Sequence, residues 1–592
     1  MQFRHREVSG LRRERIGLVV ITLLAAAGVL YWVQASRGGS TGPAPAGVVR
    51  GGRLIATHRS EPQSFNRYAS ANPAEELFAR LTQATLVRLN RATGELEPRL
   101  AREWSSSPDG LTWTVKLREG VRFSDGLPFT SSDVLFTFQV LYDKRVASPL
   151  AGSAMVGDNP LTVRALDTQT VVIVFPAVYG PGLAILDSLP ILPEHKLRRA
   201  FESGTFKQAW GVATPASEFA GLGPFTLQEY VPGQRVVYQS NPEFWRTDDQ
   251  GRKLPYLDQI EVQIVPEQSA EMLRLEAGTV DVTTDQVRAE DLAGLQALQA
   301  RGVVTLNEAG VATNPEMFWL NLNPSSALAK TRPWSQRLEL RQAISHAVDR
   351  RRIVDTVYLG AAEPIFSTVT PGYGEWYVPD LPPIEFDQTR ARALLASIGL
   401  ADRNGDGKLD DERGETARFA IVTQKGHTIR ERTCAIIQEQ LQAVGLTVDV
   451  VALERTAFFS QVLGGTYEAA FFQLIFDSFD PASQFDFWAS SKGFHIWHPS
   501  QAKPATEWEA RIDDLMVKQS TTLDRAERRR LFAEAQRVLA ANQPVITFAA
   551  AKVVVATSAR VGGAMPSVLA PPVLWNAEML WLVPAPAGAS GK

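Results

Sequence analysis

The sequence predicts a mixed α/β protein, and three observations predict it. In LTWTVKL the apolar residues Leu111, Trp113, Val115 and Leu117 alternate with Thr112, Thr114 and Lys116, the period of a strand with one buried face. Thr130 and Asp133 stand three apart at the head of an apolar helical run, the spacing of a capping box. Helix, glycine and strand then follow one another twice, in AEMLRLEAG before Val280-Asp281-Val282 and in RTCAIIQEQLQAVG before LTVDVVAL.

Taken in chain order, the first element is an apolar run, Ile16 to Val33, behind the basic residues Arg4, Arg6, Arg12, Arg13 and Arg15. That order puts the N-terminus in the cytoplasm and the remainder across the membrane. Two outcomes fit. Val33-Gln34-Ala35 resembles a signal-peptidase site, whereas the length of the run, ending in Tyr31 and Trp32, suits an uncleaved anchor. The anchor is the expectation for residues 1–37. Lipidation is excluded, because Cys434 is the only cysteine. Residues 38–49 are a Gly/Pro/Ala/Ser linker, and the G-x-S-x-G within it follows no strand, so it is a chance match. After the strand at 111–117, Ser124-Asp125-Gly126 reads as a turn. The helix capped by Thr130 is expected to bury Val134, Leu135, Phe138 and Leu141. Gly278 stops the helix of AEMLRLEAG, and the tail at 583–592 has nothing to pack and is expected to be disordered.

A chain of 592 residues holds two to four domains at ~150 residues each. Its formal net charge of -3 lacks the basic excess of a nucleic-acid binder. The runs Arg350–Arg352 and Arg528–Arg530 have acids nearby and read as solvated helix faces. Cys434 lies among apolar helical positions and reads as a small buried hydrophobe. There is no phosphate-binding G-x-x-x-x-G-K-[ST], no G-x-G-x-x-G behind a strand, and no nucleophile–base set among the seven histidines. The S-x-x-K at Ser500 to Lys503 is short enough to arise by chance, so no enzyme is expected.

The stretch EPRLAREWSSSPDGLTWTVKLREGVRFSDGLPFTSSDVLFTF resembles the signature region of the family 5 extracytoplasmic solute-binding proteins, the oligopeptide- and dipeptide-binding components of ABC importers. The likeness continues through GLGPFTLQEYVPGQRVVYQSNPEFW, KLPYLDQIEVQIV and LRQAISHAVDRRRIVDTVYLG. It implies a two-lobed periplasmic-binding-protein fold that closes about a hinge, with an extra inserted small domain. Lobe I would comprise 50–88, 218–311 and 541–582, the inserted domain 89–217, and lobe II 312–540. The implied function is capture of a peptide or another small amine-bearing solute, and its delivery to ABC permease and ATPase subunits. The protein would work as a periplasmic monomer tethered through residues 16–33, without cofactor or nucleic acid. The alternatives are a membrane sensor or scaffold on the same fold, and a binder of a metal complex or glycoside.

FDSFDPASQFDFW, Phe476 to Trp488, sets three aspartates among aromatic rings. A carboxylate stripped of water beside such rings needs a cationic partner. In peptide-binding relatives an aspartate three residues before a D-P or E-P pair holds the ligand's ammonium, which the resemblance carries onto Asp477, before Asp480-Pro481. Leu474, Phe476 and Trp488 would be pocket walls, with core packing open for Trp488 and Trp497. Asp480 is expected to shape the turn and Asp486 to meet solvent. The sequence departs from the pattern at Leu474, where several relatives have tryptophan, and in the uncharged run AAFFQLIF, which offers no arginine for a short peptide's carboxylate. DRNGDGKLDDER aligns Asp402, Asn404, Asp406 and Asp410 with calcium-loop ligands, but Arg413 stands where the bidentate glutamate belongs. His495 and His498 have H-x-x-H spacing, with Pro499 against a shared helix.

Overall fold

The computed structural model describes residues 48–476, 478–499 and 501–583. The chain forms two compact units. Of the described residues, the smaller unit holds Val48 and Arg246–Lys253, a short excursion with a Thr247–Lys253 bridge and an Arg252–Asp248 pair at 2.6 Å. The larger unit holds the rest.

Within the larger unit the described strands build three principal sheets. The largest has the order Phe225–Val231, Arg235–Ser240, Gln259–Ile264, Arg53–His58, Val282–Thr283, Ala549–Ser558, Val304–Val311, with Ala362–Pro364 also paired to Ala549–Ser558. Arg53–His58 runs parallel to both neighbours, and the other pairings are antiparallel. The second sheet has the order Thr447–Leu453, Arg418–Gln424, Ala469–Phe472, Met317–Leu320, Val545–Thr547. The third is antiparallel, in the order Ala101–Ser106, Thr112–Leu117, Thr170–Val174, Thr162–Asp167.

The second sheet is covered on both faces, which is why MFWL and AAFF are continuously apolar rather than alternating. Phe318 and Leu320 pack with Phe471, Ile421 and Cys434 on one face. Met317 and Trp319 pack with Ala470, Val422 and Trp497 on the other. The third sheet shares one core with the first, running from Leu54 through Val115 and Val171 to Leu222.

The predicted strand is Thr112–Leu117, and the predicted capping box is formed: Thr130 and Asp133 cap each other's backbone at the start of Ser131–Tyr142. Val134, Phe138 and Leu141 are buried as expected, but Leu135 is only half-buried. The helix is held against both Thr162–Asp167 and Glu194–Glu202, so Phe136 and Val140 form its second buried face and Leu135 falls between the two. Gly445 ends Thr428–Gln442 at φ +92°, and a Cβ there would stand 2.7 Å from Leu409 Cγ. No ordinary side chain fits both constraints. Of the expected strand at 280–282 only Val282 is in strand, as the first residue of Val282–Thr283.

The two shortest passages between the first and second sheets are residues 312–316 and Phe548, beside the longer excursion that carries Ala362–Pro364 onto the first sheet, and Ala312 N–H donates to the Ala551 carbonyl at 2.8 Å. A buried arginine braces each passage. Arg430 Nε lies 2.9 Å from both Glu316 carboxylate oxygens, over the Phe472 ring. Burial raises the Glu316 carboxyl against the pull of Arg430. Arg350 donates to the Thr547 carbonyl at 3.1 Å, to the Ile365 carbonyl at 3.0 Å and to Ser345, between the Phe366 and Phe548 rings. This corrects the solvated-face reading for Arg350 alone, since Arg351 is exposed and Arg352 pairs with Glu439 at the surface. Arg350 is 5 % exposed, and burial lowers its pKa to about 10. Carbonyls left unpaired at chain crossings, not nearby acids, hold it.

Among the described residues no helix is long and apolar enough to cross a membrane. Residues 16–33, the linker up to Gly47 and the tail from 584 lie outside the described residues.

Candidate functional site

A cleft of about 1130 Å³ opens beside Val304–Val311, the edge strand of the largest sheet. One side is the strand Val304–Val311 with the turn 91–95 and residues 566–568. The other is the segment Pro371–Trp376, two helical turns broken by a kink at Gly374, with Phe479 and the first turns of Arg525–Asn542. Asp524 caps that last helix by accepting from Glu527 N–H at 2.7 Å, which points Arg525 and Arg529 into the opening. Both converge on Glu375, Arg525 Nε at 2.6 Å and Arg529 Nη1 at 3.1 Å. Arg525 also reaches the Gly94 carbonyl at 3.4 Å. Lys552 lies 3.4 Å from Glu308 and 3.8 Å from Glu363.

Asp477 lies outside the described residues, but the chain on either side is closely held. Asn314, in the first passage, brackets Phe476: its Oδ1 accepts from Phe476 N–H at 3.0 Å, and its Nδ2 donates to the Phe476 carbonyl at 3.2 Å. Gln473 donates to the Asn314 carbonyl. Beyond Asp477, Phe479 lines the cleft. Asp480 accepts from Ala482 N–H at 2.9 Å and caps Pro481–Gln484, the turn-shaping role expected of it.

Asp480 also does something the sequence did not disclose. Its carboxylate receives both arms of Arg528, Nη1 at 2.9 Å and Nη2 at 2.5 Å. Arg528 is 3 % exposed, donates further to Gln519, and lies over the Trp376 ring. The run Arg528–Arg530 is therefore not a uniform solvated face: Arg529 and Arg530 are exposed, and Arg528 is the buried end of a bidentate pair. The partners are 48 residues apart, so no local pattern signals the contact. The same distance problem hid Asn314 and Glu375.

Leu474 and Phe476 are half-buried at the margin of the core that contains Trp319. Trp488 and Trp497 are 1 % and 0 % exposed within that core, against Phe532 and Phe487. Asp486 is exposed. His495 Nε2 lies 3.1 Å from Glu509, and Trp497, Gln501, Thr506 and the Ala505 amide share the same carboxylate. Although burial opposes it, the hydrogen bonds from His495, Gln501 and Thr506 hold the Glu509 carboxyl at about 2. His498 is lowered by its own burial. Ser500 of the S-x-x-K match lies outside the described residues.

In the calcium-like loop, Asp402 accepts from the Gly405 and Gly407 amides at 2.7 and 3.0 Å, Asn404 from Asp406 at 2.9 Å, and Asp406 from Lys408 at 2.8 Å. Asp410 is buried and its backbone bridges Ala401. Among the described residues no three His, Cys, Asp or Glu side chains gather as a metal site. Cys434 is buried, and burial raises its thiol pKa.

Residues 95–495 match the model of the bacterial extracellular solute-binding proteins, family 5 middle. The chain is 27% identical over 543 residues to a probable ABC transporter-binding protein of Deinococcus radiodurans, covering 88% of this chain and 90% of that one. It is 26% identical over 509 residues to the oligopeptide-binding protein AppA of Bacillus subtilis, covering 84% and 85%. The solved structure of that AppA with a nonapeptide superposes with a TM-score of 0.66 at 25% identity, over 90% of this chain and 99% of that one. NikA of Brucella suis with Fe(III)-EDTA gives 0.73 at 20% identity, over 90% and 100%, a likeness of fold.

Proposed function

Because the chain belongs to the bacterial extracellular solute-binding proteins of family 5, we propose that it is the extracytoplasmic component of an ABC importer, capturing a peptide or a related amine-bearing solute between two lobes and passing it to a permease. The observation that carries this reading is the cleft of about 1130 Å³, walled by Val304–Val311 of the first sheet on one side and by Pro371–Trp376, Phe479, Arg525 and Arg529 on the other. Such a volume lies above the usual ~300–1,000 Å³ of small-molecule sites and suits an extended ligand. Lobe I takes 50–88, 218–311 and 541–582, lobe II takes 312–540, and 89–217 is the inserted domain. The two passages are the hinge.

Asp477 receives the ligand's ammonium. Its chain neighbours support this: Phe479 borders the cleft, Asn314 fixes the backbone at Phe476, and Arg528 holds the Asp480 carboxylate. Leu474 and Phe476 line the approach. The arginines Arg525 and Arg529 are committed to Glu375, which favours a longer peptide over one clamped at its carboxylate a residue or two away. This chain leaves the solute covalently unchanged, and residues 16–33 hold the mature protein at the outer face of the cytoplasmic membrane.

The test begins with mass spectrometry of the solute that co-purifies. Calorimetry then compares that solute with its amine-acetylated form, on the wild type and on Asp477→Asn. Loss of a buried charge-assisted contact costs about 2–4 kcal/mol, so the substitution should weaken binding roughly 30- to 1000-fold. Acetylation should harm the wild type and little more the variant. Equal penalties in both proteins would end the assignment of Asp477. N-terminal sequencing tests the tether, and a mature start at Ser36 would overturn it.

A further inference from the structure

Arg528 stands at a junction that ligand capture alone does not explain. Its guanidinium holds Asp480, and its Nε donates to the Gln519 carbonyl at 2.9 Å. On its other side lies the 179–182 loop, which belongs to the segment carrying the third sheet. Gly180 N–H donates to the Ser520 carbonyl at 2.6 Å. A Cβ on Gly180 would stand 2.5 Å from Arg528 Nε and 2.6 Å from the Thr522 carbonyl. The contact is so close that only glycine fits. The same turn meets a second glycine, since a Cβ on Gly110 would lie 2.8 Å from Leu523. The hydroxyl of Tyr179, the residue before Gly180, has its pKa raised by burial and by the charge of Asp480.

We propose that Arg528 is a positioning residue that couples the 478–481 stretch beside the ligand cleft to the 179–182 loop, so that docking of either loop orders the other. Its meaning for transport rests on the reading of Asp477 as the ammonium site, but the coupling itself does not. An ion pair that merely stabilised the Asp480 turn would leave the 179–182 loop indifferent to it. A joint is reciprocal: whatever disturbs one side must be felt at the other. The two loops share no sheet, and Arg528 touches both Asp480 and the place of Gly180, so both directions are open to experiment.

Hydrogen exchange read by mass spectrometry on the full chain, with no ligand added, makes the test. Gly180→Ala pushes a methyl group against Arg528. It should speed exchange roughly tenfold in 478–484, as well as in its own surroundings at 176–182 and 519–523. Asp480→Asn should do the reverse and loosen 176–182. Arg528→Lys, which keeps the charge and loses the fork, should loosen both. Exchange in the strand Thr447–Leu453 reports whether the fold survives and should not change. If Gly180→Ala acts only on 176–182 and 519–523, or Asp480→Asn leaves 176–182 as it was, the coupling is wrong. The acetylation experiment has no bearing on these rates, so failure of the Asp477 reading and failure of the coupling are told apart.

Discussion

At the scale of residues, buried charge in this protein is held by partners remote in the chain. Arg350 and Arg528 head triplets that look solvated, yet each is buried because its partners come from remote chain: carbonyls at 365 and 547 for one, Asp480 for the other. Glu509 is held in the same way by remote partners, among them the His495 ring at 3.1 Å. That carboxylate yields a sharp expectation. Glu509→Gln puts an amide NH₂ where one set of donors now points, leaving buried donors unmet, at a cost of roughly 2–4 kcal/mol. The folded pKa of about 2 lies below the unfolded carboxyl value, so the contribution of the charge is complete above the unfolded value and is lost as pH falls through about 2. Urea titrations of wild type and variant should therefore differ most near neutrality and converge on acidification. A gap that stays constant down to pH 2.5 would show that the charge is not the cause.

At the scale of elements, much was legible. The strand at 112–117, the capping box at Thr130 and the glycine stop at Gly445 all rest on local rules, namely period two, a three-residue cap and a positive φ. Leu135 was misjudged because a helix pressed on two sides buries two faces, and nothing local announces the second neighbour. The loop after Ala401 shows the limit of a motif. Its side chains align with calcium ligands, but Asp402, Asn404 and Asp406 already accept backbone N–H groups from within the loop. Arg413, in the place of the bidentate glutamate, pairs with Asp411 at 2.7 Å. Chelator should leave the thermal midpoint where it is, and added calcium should not raise it. A rise of several degrees with calcium that disappears in Asp406→Ala would contradict this.

At the scale of the whole molecule, the largest sheet is stitched from chain segments that begin at Arg53, Phe225, Ala362 and Ala549, and no periodicity could have foretold which strands meet. Only the family resemblance suggested a threefold split. The sheet pairings show what the late chain does. Ala549–Ser558 pairs with Val282–Thr283, Val304–Val311 and Ala362–Pro364, while Val545–Thr547 closes the second sheet beside Met317–Leu320. One short stretch therefore completes both sheets and carries the second passage between them. A chain ending at Asn542 would leave three strands of the first sheet and one of the second with open edges and apolar faces uncovered. It should give no cooperative melt, and Cys434, buried in the second sheet's core, should react with a thiol reagent as fast as in urea. If instead the truncated chain keeps a cooperative transition with Cys434 protected, the second sheet folds without Val545–Thr547, and the late strands serve the first sheet alone.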